Sequence, residues 1–138
     1  ASIVPQTIRR LVASNSRIEE ALWWDLLSMD ALTREHVVSL GRRSAIERLG
    51  HFFCEVHLRL NMIGLADHAS YPMPLTQSDL ADLFGLTPIH INRSLQELRS
   101  RGLLSLRERH LTIHDLRTLR ELSMFELTYL PLDIRVRT

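Results

Sequence analysis

The stretch from Leu75 to Ile113 constrains the fold most, because capping chemistry marks its helix boundaries. Thr76 predicts an N-cap, its hydroxyl accepting from a first-turn N–H, and Asp79 suits the positive end of the helix begun there. Leu80, Ala81, Leu83 and Phe84 give this helix an apolar face, and Gly85 ends it where a residue without a Cβ turns most easily. Thr87 predicts a second cap, with Pro88 at the first helical position, where a missing N–H costs nothing. Ile91, Leu95 and Leu98 recur at spacings of four and three, so one face is buried. The other face carries Ile89, His90, Asn92, Arg93, Gln96 and Arg99. Gly102 to Leu106 and Leu111 to Ile113 read as two strands around a charged tip, Arg107 to His110. Two capped helices about a glycine turn, then a hairpin, predict a winged helix-turn-helix, whose second helix enters the DNA major groove.

The rest of the chain predicts a mainly α fold, with a long dimerisation helix preceding this unit. Pro5 to about Ser14 forms a short helix with Ile8, Leu11 and Val12 inward. Ser16 and Glu19 make a capping box for the next helix, Arg17 to about Leu40, roughly 36 Å long. Ile18, Leu22, Leu26, Met29, Thr33, Val37 and Leu40 step along it by four or three as one continuous seam. Trp23, Leu27, Ala31 and Val38 add a second flank, with Trp23 and Trp24 read as packing rather than a ligand cage. A helix apolar on two sides asks for two partners: the same helix of a second subunit, and a domain outside this chain. The plainer alternative, burial in the monomer's own core, needs more chain than is here to cover both flanks. Gly41-Arg42-Arg43 breaks the pattern, with Gly41 as the joint, and Ser44 with Glu47 makes another capping box. Ala45, Ile46, Leu49, Phe52, Phe53, Val56 and Leu60 carry the next helix to about Asn61. Met62 to Pro74 reads as loop, and Asp115 starts a helix with Leu116, Leu119 and Leu122. The expected division is 1–41 for the linker, short helix and dimerisation helix, 42–123 for the winged helix-turn-helix, and 124–138 for an irregular tail.

With 138 residues and a net charge of +1, overall charge says little about partners, but its distribution does. Residues 61–86 hold three aspartates and no arginine, whereas residues 87–121 hold seven arginines against four carboxylates. Positive charge thus gathers on the second helix, the wing and the segment after it, where phosphates would lie. Cys54 is the lone cysteine and its apolar neighbours predict an inert, buried thiol. His51 with Glu47 and Glu55, and Cys54 with His57, have ligand-like spacing, but without HExxH or CxxC no metal site is expected. No glycine-rich phosphate loop, nucleophile elbow or supported carboxylate pair points to an enzyme. Neither a membrane-length apolar run nor a signal peptide is visible, so a cytoplasmic protein is the expectation.

Several runs together resemble the C-terminal half of the Crp/Fnr family of bacterial regulators. They are Ser44-Ala45-Ile46-Glu47-Arg48-Leu49, Leu75-Thr76-Gln77-Ser78-Asp79-Leu80-Ala81, Gly85-Leu86-Thr87, Ile91-Asn92-Arg93-Ser94-Leu95, Leu98 and Gly102-Leu103-Leu104. The resemblance implies a homodimeric regulator that reads palindromic double-stranded DNA and has RNA polymerase as a further partner. It also implies an N-terminal sensory β-roll, and this chain begins where such a roll would end. No cofactor is expected in this chain, and no effector can be assigned to the absent roll. Thr76, Ser78 and Thr87 fall on phosphate-contacting positions, and Arg93 on the base-reading arginine, suited to guanine O6 and N7. The family's Arg-Glu pair is replaced by Pro88-Ile89, so Ile89 would meet a thymine methyl while His90 and Asn92 add polar contacts. Arg107, Arg109 and His110 at the wing tip are phosphate candidates. The same Pro88-Ile89 departure supports the alternative, a winged-helix interaction module that dimerises or docks a partner without reading DNA.

Overall fold

A computed structural model of the chain describes residues 3–66 and 69–126. The described residues divide into two compact units, one ending at Val37 and the other Val38–Glu126. The expected irregular tail lies outside the described residues beyond Glu126.

Helix α1 spans Pro5–Ser14 in the first unit and is succeeded at once by α2, Ser16–Arg42, whose last residues belong to the second. Asn15 serves both: its N–H donates to Leu11 O at 3.2 Å, and its Oδ1 accepts from Arg17 N at 3.0 Å. Asn15, not Ser16, therefore caps the long helix, because Ser16 already lies in its first turn. At 27 residues α2 is about 40 Å long. It runs through Gly41, which corrects the expected joint there; the break falls at Arg43-Ser44, where Ser44 opens the next cap. A single glycine in a helix lowers its stability without ending it.

Ser39 is the only buried residue of α2. Along the seam Leu22, Leu26, Met29, Val37 and Leu40 are 42–64% exposed, Thr33 is exposed and Ile18 is half-buried. Trp23 and Trp24 are exposed on the flank, beside a shallow groove of about 240 Å³ lined by Val12, Glu19, Leu22, Trp23 and Leu26. Among the described residues Val12 of α1 lies beside Leu22 and Leu26, and the seam from Met29 to Leu40 stands open.

The second unit holds α3 (Ala45–Met62), β1 (Ser70–Pro72), α4 (Gln77–Phe84), α5 (Pro88–Ser100), β2 (Leu104–Arg107), β3 (His110–Ile113) and α6 (Leu116–Ser123). Helix α3 starts at the expected capping box, Ser44 N donating to Glu47 Oε2 at 2.6 Å. It packs on α5 and α6, and its Leu49 and Phe53 meet a core of Leu80, Ile91, Leu95, Leu98, Leu104, Leu111 and Leu119. Gly50 allows the close approach of α6: a Cβ there would stand 3.0 Å from Ser123 Cβ and 3.3 Å from Leu119 Cδ1. Helix α6 is capped by Asp115, whose carboxyl accepts from the Thr118 backbone N–H and hydroxyl; these bonds hold it below the usual carboxylate range.

Three features differ from the sequence expectation. The segment read as loop contains β1, which makes the sheet three-stranded in the antiparallel order β1-β3-β2. Three residues ending in proline give no alternation to detect, yet Tyr71 pairs with Leu111 and sends its hydroxyl to Phe53 O at 2.8 Å. The wing tip is also tighter than expected. Arg107 and His110 pair as the last rung of the hairpin, leaving Glu108 and Arg109 as the turn. Finally, Phe125, expected in the tail, is 5% exposed, with Arg120 over its ring and His51 edge-on to it.

Candidate nucleic-acid interface

The interface is built from the starts of α4 and α5 and from the wing. At α4 the cap is reciprocal. Asp79 N donates to Thr76 Oγ1 at 3.2 Å, while Asp79 Oδ2 accepts from Thr76 N and Thr76 Oγ1, both at 2.7 Å. The Thr76 backbone N–H, then its hydroxyl, hold the Asp79 carboxyl below the usual carboxylate range, and Arg109 adds a weaker pull. A lowered folded-state value means the stabilisation is present at neutral pH and lost as pH falls through that value. Thr76, named as a phosphate contact from the sequence, thus already gives its hydroxyl proton to Asp79. Ser78 is exposed on the same turn and has no partner among the described residues.

Gly85 closes α4 with φ +61°, the left-handed conformation the turn requires, and Leu86 N returns to Ala81 O at 2.9 Å. Arg48 of α3 donates to Phe84 O at 3.1 Å and so seats the end of α4 on the core. Thr87 Oγ1 then accepts from His90 N at 3.3 Å, which leaves its own proton free to donate outward.

Helix α5 buries Ile91, Ser94, Leu95 and Leu98 and turns Ile89, His90, Asn92, Arg93 and Gln96 to solvent. Arg93 is exposed and has no hydrogen-bond or ion-pair partner among the described residues. With Gln77, Pro88, Ile89, Asn92 and Gln96 it lines an open groove of about 410 Å³. Gln77 is the groove residue that sequence reasoning missed. It sits at the start of α4 and accepts from Asn92 Nδ2 at 3.2 Å, bridging the two helices. The only signal for it was its place beside the Thr76 cap.

On the wing, Arg107, Arg109 and His110 are all exposed. Met73 N donates to Arg109 O at 2.7 Å, and Arg99 Nη2 donates to Leu106 O at 3.2 Å, which holds the hairpin against the end of α5. Glu108 and Arg109 have φ of +49° and +60°. Left-handed geometry at both turn positions favours Asn-Gly over a charged pair. We expect Glu108→Asn with Arg109→Gly to raise stability by about 1–2 kcal/mol in urea denaturation. If Arg109 meets a phosphate, the same double variant lowers the salt slope of duplex binding by about one, through loss of one cation. Glu108→Asn alone should leave that slope unchanged.

His51 and His57 are buried, His51 Nδ1 lying 3.4 Å from Ser123 O and His57 packing near the Tyr71 ring. The expected buried thiol is found: Cys54 is fully buried, and burial pushes it up to about 12. Among the described residues no three His, Cys, Asp or Glu side chains are grouped to hold a metal ion. Nor is any helix among them long and apolar enough to cross a membrane.

A recognition helix with a free arginine, set beside a basic three-stranded wing, defines a winged helix-turn-helix of the regulatory type. Residues 47–122 match the Crp-like helix-turn-helix domain, and the chain belongs to the Crp/Fnr family of transcription regulators, a family that is not enzymatic. It is 32% identical over 112 residues to the nitrogen fixation regulation protein FixK of Azorhizobium caulinodans, covering 79% of this chain and 44% of that protein. The fold matches the structure of FixK2 from Bradyrhizobium japonicum with a TM-score of 0.74 at 23% identity, over 87% of this chain and 59% of that one. It also matches a CooA mutant from Carboxydothermus hydrogenoformans with a TM-score of 0.72 at 20% identity, over 86% and 54% of the two chains. The chain therefore spans about half the length of the proteins it resembles.

Proposed function

We propose that the chain is the DNA-reading part of a sequence-specific transcription regulator that binds double-stranded DNA as a homodimer. The observation that carries this reading is the outer face of α5, where Arg93 stands unpaired in an open groove beside a cationic wing. Arg93 would take guanine O6 and N7, with Ile89, His90 and Asn92 as the other base-facing side chains. Ser78, Thr87, Arg107, Arg109 and His110 would position the duplex through its phosphates, with Thr76 contributing through its cap. Two copies joined along Ile18, Leu22, Leu26, Met29, Thr33, Val37 and Leu40 would set half-sites one helical turn apart, about 34–36 Å. RNA polymerase as a further partner, a cytoplasmic location and a sensory domain outside these residues belong to the same proposal.

Selection from a random duplex library at near-physiological salt tests it: a two-fold symmetric site should be enriched. No enrichment with the full-length protein would favour the interaction module instead. On the selected site, Arg93→Ala is expected to weaken binding by about 1–3 kcal/mol and relax preference at one base pair. An unchanged affinity and preference would show that the helix docks otherwise.

A further inference from the structure

We infer that Ile89 reads the C5-methyl of a thymine, so that this chain selects a T·A pair within two base pairs of the guanine contacted by Arg93. The inference rests on the DNA-reading function proposed above.

Ile89 is 72% exposed, more than any other large apolar side chain among the described residues. It lies in the first turn of α5, directly after Pro88, on the groove that also holds Arg93. Residues four apart on a helix share a face. Ile89 and Arg93 are therefore separated by about 6 Å along the axis, or one to two base-pair steps of about 3.4 Å. Asn92 gives its Nδ2 to Gln77 Oε1 at 3.2 Å, which leaves its Oδ1 for a base, and Gln77 and Gln96 also line the groove. Pro88 and Ile89 are the two apolar residues of that lining, and a base edge directly in front of them meets an aliphatic surface.

In the major groove every base edge presents donors or acceptors, and thymine adds an apolar group to them, its C5-methyl. A thymine opposite Ile89 buries its methyl and so offsets the water lost from its O4, whereas guanine, adenine or cytosine there would lose water from polar atoms with no such gain. Selection comes from both sides of that difference.

The test replaces single thymines of the selected duplex by deoxyuridine, which removes one methyl and keeps base pairing. One thymine per half-site should respond, with about fourfold weaker binding for one half-site and about fifteenfold for both. Ile89→Ala, a change at an exposed position, should weaken binding similarly and become indifferent to uracil at that thymine. Three outcomes overturn the assignment while leaving DNA reading intact: no thymine near the guanine in the selected site, uracil tolerated at every position, or an Ile89→Ala protein still sensitive to uracil. Failure of the unsubstituted duplex to bind overturns the function beneath it.

Discussion

Leu26→Glu together with Val37→Glu is expected to convert the proposed dimer into a monomer. Both side chains are more than 60% exposed in the single chain and sit on the seam of α2. In a two-fold interface every substitution occurs twice, so four carboxylates would enter an apolar contact. An uncompensated buried charge costs about 3–5 kcal/mol. We therefore expect the dimer dissociation constant to rise at least about a thousandfold, read by sedimentation equilibrium. Binding to the palindrome should fall with it, because the second half-site is no longer reached intramolecularly. Binding to an isolated half-site should persist, since the α5 groove is untouched. A variant that still sediments as a dimer would remove α2 as the seam.

Phe53→Ala should have the largest effect on stability. Phe53 is fully buried in α3, its ring 5.9 Å from that of Phe52, and its carbonyl accepts the Tyr71 hydroxyl. Removing a buried phenylalanine ring costs about 3–5 kcal/mol. That is a large share of the roughly 5–15 kcal/mol that holds a domain together. The urea midpoint should fall with little change in slope, and the α5 groove should lose order with the core. A loss below about 1 kcal/mol would mean that α3 is not the centre of the packing.

The parts of the fold legible in the sequence are those set by neighbours in the chain. Thr76, Thr87 and Asp115 cap within three residues of themselves, so spacing alone places α4, α5 and α6. Most of the span of α2 is equally legible, because one apolar period runs through the helix. Gly41 misleads about where that helix ends, since a lone glycine weakens an otherwise intact helix without breaking it.

The features that escape sequence reading are held by contacts far apart in the chain. β1 is defined by pairing with β3 some forty residues on. Phe125 counts as core only because α3 and α6 meet there. In the interface, Arg93 and Ile89 are visible as outward residues of a periodic helix. Gln77 is not, because its role depends on a partner fifteen residues away across the turn. The commitment of the Thr76 hydroxyl to Asp79 likewise emerges only in three dimensions.

Arg43 has a mechanical consequence. Its N–H donates to Ser39 O, its guanidinium grips Ser123 O and Met124 O, and its carbonyl accepts from Arg48. Arg48 in turn holds the end of α4. The last turn of α2, the head of α3 and the tails of α4 and α6 are thereby riveted at one junction. A load on that last turn would be shared with the ends of three other helices through hydrogen bonds instead of passing along the covalent chain alone.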